Sequence, residues 1–253
     1  MAADGDLAWA AEEACLNAWP SARQLVLDGW LVRVAGGPTR RANSVNPLRG
    51  GPRDPGPVID ACERIYAARG RPAIFRVPDI APGMDAPLAR RGYAREEDVR
   101  TLHRDLRDAD ARADPAVRLA PRPTRDWHAA RSRLTGATRE TVRTFRDTTA
   151  CLVIPAAFAS LTVEGEVACV AYGAVDRALL AIEAVVTDPG RRGAGLARRT
   201  VSELIRWGRA QGAAGACLQV AAANAPACAL YARLGFGREV YRYHYRRRDP
   251  VGG

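Results

Sequence analysis

Residues 181–200, AIEAVVTDPGRRGAGLARRT, and residues 218–236, LQVAAANAPACALYARLGF, each read as an apolar strand, a turn and a helix. In the first, the run Arg192-Gly193-Ala194-Gly195-Leu196-Ala197 puts small residues where bulky side chains would keep a ligand from the backbone N–H groups. A helix N-terminus with free N–H donors suits pyrophosphate, and Arg191, Arg192, Arg198 and Arg199 add formal charge around it. Taken alone, such a turn is as often only a turn. It lacks the three glycines of the GxGxxG spacing and the lysine of a P-loop, so it is neither of those phosphate cradles.

Upstream of these stretches, strands at 158–163, 166–175 and 179–187 follow a short strand at 117–119 and helices at 124–134 and 137–149. The helix from about 195 to 211 leads to a strand at 216–221, a helix at 225–234 and a last aromatic strand, VYRYHYRRR. Strands, then a strand–helix–strand crossover, predict an α+β domain with a mixed, mostly antiparallel sheet flanked by helices. The first half predicts a helix over 4–17, a hairpin turning at Asp28-Gly29, a strand at 41–45, a helix over 58–69 and strands at 73–77 and 98–106. RDADARADP, residues 107–115, reads as a linker between a domain at 1–106 and another at 116–253.

The two halves share one short similarity. LARRGYARE, from Leu88, lies over YARLGFGRE, from Tyr231, at an offset of 143 with five of nine positions identical, which suggests two copies of one fold.

Composition narrows the function classes. The 253 residues, 47% apolar and 26% charged, suit a soluble globular protein. All 38 basic residues are arginine, which excludes lysine Schiff-base chemistry. Residues 1–114 hold 17 arginines and 17 acids, whereas 115–253 hold 21 and 11, so the net +10 belongs to the second half. That excess fits a polyanionic partner, a phosphorylated cofactor or nucleic acid, and equally fits a genome that spells basic residues as arginine. Six cysteines without a CxxC pair and three scattered histidines predict reduced thiols and no metal site. The acidic N-terminal stretch lacks a signal-peptide n-region, so a cytoplasmic protein is expected, with no membrane segment.

With both motifs in order, the sequence resembles the GNAT superfamily of N-acetyltransferases over about residues 117–246. The resemblance rests on V-V-T-D-P, on the (Arg/Gln)-x-x-Gly-x-(Gly/Ala) turn met by Arg192, Gly195 and Ala197, and on Asn224, Ala227, Tyr231 and Leu234-Gly235-Phe236. It implies a GNAT fold, here as two tandem units, the first degenerate because Leu88 stands where Tyr231 stands and no Gly-rich turn precedes it.

The resemblance also implies acetyl-CoA as co-substrate, an amine acceptor and no metal. Acetyl-CoA would be held by the N–H groups of Arg192, Gly193, Ala194, Gly195, Leu196 and Ala197, by the backbone of Val185, Val186 and Thr187, and by Asn224. The Val185 N–H would donate to the thioester oxygen, and Tyr231 would protonate the leaving thiolate. Many relatives carry a glutamate base twelve residues before the tyrosine; here that position is Gln219. Glu183, an acid in an apolar strand with the side-chain parity of Val185, is the substitute base, or else a strand acid that faces solvent or pairs with one of many arginines; a water chain or an amine already neutral would also remove the need for a residue base. Arg40-Arg41 and Arg246-Arg247-Arg248 read as solvated charge, while Trp30, Arg33, Arg41 and Asn43 could line an acceptor cleft.

The alternative reading is a noncatalytic acyl-CoA-sensing or nucleic-acid-binding protein on the same scaffold. Gln219 favours it; Tyr231 and the lack of a helix-turn-helix or stacking motif count against it. Acceptor identity, acyl length and the choice between monomer and homodimer stay open.

Overall fold

The computed structural model describes residues 2–50, 55–107 and 113–249. In chain order these form α1 (Ala2–Ala18), β1 (Gln24–Leu27), β2 (Trp30–Arg33), β3 (Val45–Pro47), α2 (Gly56–Ala67), β4 (Ala73–Pro78), α3 (Asp85–Arg90) and β5 (Ala94–Asp105). The second half adds β6 (Val117–Ala120), α4 (Arg125–Thr135), α5 (Arg139–Ala150), β7 (Ala156–Val163), β8 (Glu166–Asp176), β9 (Leu179–Thr187), α6 (Leu196–Ala210), β10 (Gly215–Ala221), α7 (Ala225–Arg233) and β11 (Arg238–Arg248). The 107–115 linker lies largely outside the described residues.

All eleven strands join one mixed sheet in the order β1-β2-β3-β4-β11-β5-β10-β9-β8-β7-β6. Its centre carries an exchange. β5, from the first half, pairs antiparallel with β10, and β11, from the second, pairs antiparallel with β4. β5 and β11 also pair with each other. The similarity at offset 143 explains the pattern: β5 and β11 are equivalent strands, each preceded by a helix ending at a glycine, and each lies on the edge its counterpart would cover. A stretch of chain that reads as one half therefore completes the sheet of the other.

Packing repeats this interdependence. α6 lays Leu196, Val201, Leu204 and Ile205 on one face of β8 and β9, each 5% exposed or less. Each such side chain contributes about 1.5–3 kcal/mol on burial. The opposite face of β8 to β11 is covered by α1, whose Ala8, Ala11, Ala14 and Cys15 meet Ala174, Ala181, Cys217 and Tyr241. Small residues on α1 let it sit close to the sheet. Further along that face, α4 and α5 close an aromatic cluster of Trp19, Trp127, Phe145, Phe158 and Tyr172.

Two local readings differ from expectation. The strand predicted over 41–45 is a 3₁₀ turn, Arg40–Ala42, followed by the short β3. The Asn43 side chain accounts for it: Nδ2 donates to the carbonyls of Gly36 and Thr39 while Oδ1 accepts from the Gly36 N–H, folding the loop on itself. Arg246 to Arg248 lie in β11 and are paired, with Asp85, Asp249 and Glu63 respectively. The hairpin at Asp28-Gly29 forms as read, with φ of 43° and 74°.

The interior also carries an ion pair. Arg76 on β4 donates to Glu12 on α1, both almost fully buried, and its guanidinium lies 3.7 Å from the Tyr243 ring centroid. Replacing Glu12 by leucine leaves the arginine buried without its carboxylate, so stability should fall by about 3–5 kcal/mol. The double change Glu12→Leu/Arg76→Met should recover much of that loss, as read from urea midpoints.

Candidate active site

β9 and β10 run parallel, but their pairing covers only Leu179 to Ile182 against Gly215 to Leu218. Beyond Ile182 the two strands part. The cause is local: Val170 on β8 pairs with Val186 and Tyr172 pairs with Glu183, so Ala171 faces both Ala184 and Val185. Ala184 takes up the extra residue at φ 50°, a left-handed conformation that costs an L-residue about 1–2 kcal/mol. The bulge turns β9 away from β10 and leaves the backbone of residues 183–187 unpaired on that side.

The bulge also overturns the parity expected along β9. Glu183 and Val185 point to opposite faces rather than one. Val185 packs on the α6 side, against the cluster that holds Leu196 and Tyr231. Glu183, only 4% exposed, points to the α1 side and receives two hydrogen bonds from Arg41, Nη1 to Oε1 at 2.9 Å and Nη2 to Oε2 at 2.6 Å. Burial lowers the Arg41 guanidinium, but the Glu183 carboxylate outweighs it and holds the group above the ordinary arginine range. Arg41 also sits over the Trp19 ring, 4.0 Å from its centroid. The reading of Arg41 as solvated charge is therefore corrected, and Arg40 beside it pairs with Glu96 and Glu97.

Tyr231 lies on α7 on the other side of the opening, 8% exposed, with its ring edge-on to Phe236. Its hydroxyl makes no hydrogen bond to any described residue. Burial first, then the Glu183 carboxylate, push the phenol above its usual range, so it stays protonated. Asn224 caps α7, its side chain accepting from the Ala227 N–H at 3.2 Å.

The turn before α6 follows the sequence. Gly193 and Gly195 hold φ of 82° and 74°, and a Cβ on either would meet nothing within 4 Å. Glycine is needed there for the backbone, and the surface above it is open. The N–H groups of Gly193, Ala194 and Gly195 have no acceptor among the described residues, and the first turn of α6 leaves those of Leu196 and Ala197 free of helical partners. The arginines around it divide. Arg191 is paired with Glu164 and Arg199 with Asp114, while Arg192 and Arg198 have no carboxylate partner among the described residues.

A cavity of about 390 Å³ opens on the Glu183 side, lined by Arg40, Arg41, Glu97, Gln219, Tyr243 and Tyr245. Gln219 is fixed in it, donating to the Tyr241 hydroxyl at 3.0 Å and accepting from that of Tyr243 at 3.2 Å. The structure thus gathers Glu183, Val185, Tyr231 and the 192–197 turn around one opening. The sequence reading missed Tyr241 and Tyr243, since nothing local in a strand tyrosine announces a partner 22 or 24 residues away, whereas Arg41 lines the cavity, as one of its two readings had it beside Arg33 and Asn43. Trp30, grouped with them as cleft lining, is core instead. A larger cavity of about 1150 Å³ lies at the other end of α6, by Trp207 and Gln211, and none of the site residues lines it. Among the described residues no group of His, Cys, Asp and Glu is placed to hold a metal, and no helix is long and apolar enough to cross a membrane.

A sheet opened at a bulge between parallel strands, followed by a glycine turn of free N–H groups, is the architecture of a GNAT-superfamily acetyltransferase. The family model described as "Probable histone acetyltransferase Rv0428c C-terminal" matches residues 9–248, and the chain belongs to this family. It is 26% identical over 247 residues to the "Uncharacterized N-acetyltransferase YobR" of Bacillus subtilis (strain 168), covering 93% of this chain and 96% of that protein. Among solved structures, a GCN5-related N-acetyltransferase from Kribbella flavida superposes with a TM-score of 0.70 at 19% identity, covering 98% of this chain and 96% of that one. A tandem GNAT protein from the clavulanic acid biosynthesis pathway gives 0.61 at 17% identity, over 83% and 76% of the two chains.

The Arg41–Glu183 pair can be tested apart from activity. In Arg41→Leu the buried Glu183 carboxylate loses its counter-charge and both hydrogen bonds from Arg41. Stability should therefore fall by about 3–5 kcal/mol relative to the parent protein. Urea titrations at pH 7 read the gap; a stability equal to the parent's would refute the assignment.

Proposed function

We propose that the chain transfers an acetyl group from acetyl-CoA to a primary amine of a small molecule or peptide, by direct attack within a ternary complex. The observation that carries this reading is the opening between β9 and β10, with free backbone groups along one wall and the glycine turn at its mouth. Acetyl-CoA supplies the activated acyl group. Its pyrophosphate would be met by the N–H groups of residues 193–197 with Arg192 beside them, and its amide-bearing arm by Val185, Val186 and Thr187, with Asn224 at the opposite wall.

The remaining work belongs to side chains and one backbone donor. The Val185 N–H faces the carbonyl oxygen on which charge builds as the amine attacks. Tyr231 gives its proton to the leaving sulfur, a role that suits a phenol held in its acid form by burial. Glu183 takes the proton from the amine on a lone pair that its two bonds from Arg41 leave free. Only a neutral amine attacks, so turnover follows the neutral fraction of the amine. The cavity lined by Gln219 and Tyr243 is where the acceptor would enter. Its wall comes from both halves of the chain.

A second reading, a noncatalytic acyl-CoA sensor, is favoured by Gln219 and by the arginine clamp on Glu183.

Thiol release from acetyl-CoA against a panel of amino acids, aminoglycosides, polyamines and short peptides separates the two. Turnover is expected for at least one amine, with kcat in Tyr231→Phe reduced roughly 10²–10⁴-fold and acetyl-CoA affinity by calorimetry unchanged. Binding without turnover on any amine would support the sensor. In Gly195→Val the β-branched residue does not hold φ of 74°, so the turn re-aims its free N–H groups, and loss of one such contact to a phosphate should weaken acetyl-CoA binding roughly tenfold. The rate should climb with pH through the amine's own pKa and show no fall from Tyr231 ionisation below about pH 10, because its pKa is raised.

A further inference from the structure

A second, smaller cavity of about 10 Å³ adjoins the acceptor cavity, sharing Arg41 and Gln219 with it. Trp19, Arg33, Asn46 and Arg76 also line it. Its volume suits one water or one monatomic ion and is too small for a carboxylate or phosphate group.

The charges around it do not balance. Arg76 has Glu12 and Arg41 has Glu183, but Arg33, only 3% exposed, has no carboxylate partner among the described residues. Its Nη1 and Nη2 donate to the carbonyls of Trp19 and Leu16 at 2.9 and 2.8 Å, at the C-terminal end of α1, where the helix offers about half a negative charge. Burial, then Arg76, lower the Arg33 guanidinium to about 10, with Arg41 acting in the same direction and Glu12 opposing. The group is still charged at neutral pH, inside a field of net positive sign.

Unspent donors lie at the same place. Trp19, Arg33 and Arg76 each carry one buried nitrogen, Nε1, Nε and Nε, with no acceptor among the described residues. The three residues are 6%, 3% and 2% exposed, and all line the cavity. Buried N–H groups without acceptors are uncommon because each forfeits its hydration. A water would bring two donors of its own to a wall already rich in them, whereas an anion brings none and carries the missing charge.

We propose that this cavity binds one halide ion, chloride under cellular conditions, as the counter-charge of Arg33. The ion ties the end of α1 and strands β2 and β4 of the first half to β10 of the second, and fixes the setting of Arg41 behind Glu183.

Crystals of the whole protein soaked in sodium bromide test this directly through the anomalous signal, which is expected as a single strong peak between Trp19, Arg33 and Arg76. In solution, the urea midpoint should rise with the logarithm of chloride concentration when chloride replaces gluconate at constant ionic strength, since general screening is the same in both salts. Arg33→Met should abolish that dependence; should it fail to fold, Trp19→Phe removes one donor and should weaken halide binding several-fold. A water without anomalous signal, or a midpoint identical in the two salts, overturns the proposal. A bromide peak with halide-independent stability marks an adventitious ion and overturns it as well.

Discussion

The backbone ladder between β10 and β5 is the interaction on which the rest depends. Opening a sheet exposes unpaired N–H and C=O groups, and a strand released on both edges would not hold its course. β10 leaves β9 after Leu218, yet all seven of its residues, Gly215 to Ala221, remain paired with β5 on the other edge. The strand that keeps the site open therefore comes from the first half of the chain. β11, moved outward by one place, returns the exchange by pairing with β4. The interdependence is mutual, because neither half completes its sheet alone.

Other contacts follow from this arrangement. Since α1 lies on the face of β8 to β11, Glu12 reaches Arg76 and Tyr241, and Tyr241 in turn holds Gln219 at the opening. The 3₁₀ turn carrying Arg41 passes over Trp19 and meets Glu183, 142 residues later in sequence. The surface where an amine would approach is thus shared, with Arg40, Arg41 and Glu97 from the first half and Gln219, Tyr243 and Tyr245 from the second.

Much of this was legible in the sequence. The glycine turn, the Asn224 cap, the hairpin at Asp28-Gly29 and the order of strands and helices in the second half all obey local rules of spacing and backbone freedom. What was not legible depends on partners remote in sequence. The repeat at Leu88 and Tyr231 suggested two copies, but alternation and turn residues say nothing of which copy a strand joins, so the exchange of β5 and β11 was invisible. The bulge at Ala184 escaped for a different reason. Alanine carries no signature of a left-handed conformation, and the two-residue period that linked Glu183 to Val185 breaks there without a glycine to mark it. Arg41 looked like surface charge because its carboxylate lies on another element.

The opening kept by β5 and bounded by the bulge and the glycine turn is proposed to receive the acyl donor. Amide hydrogen exchange with and without acetyl-CoA tests it most directly. New protection is expected at residues 185–187 and 193–198, with the segments lining the cavity by Trp207 and Gln211 unchanged. Protection confined to that distant cavity, or none at Val185 and the turn at saturating acetyl-CoA, would contradict it.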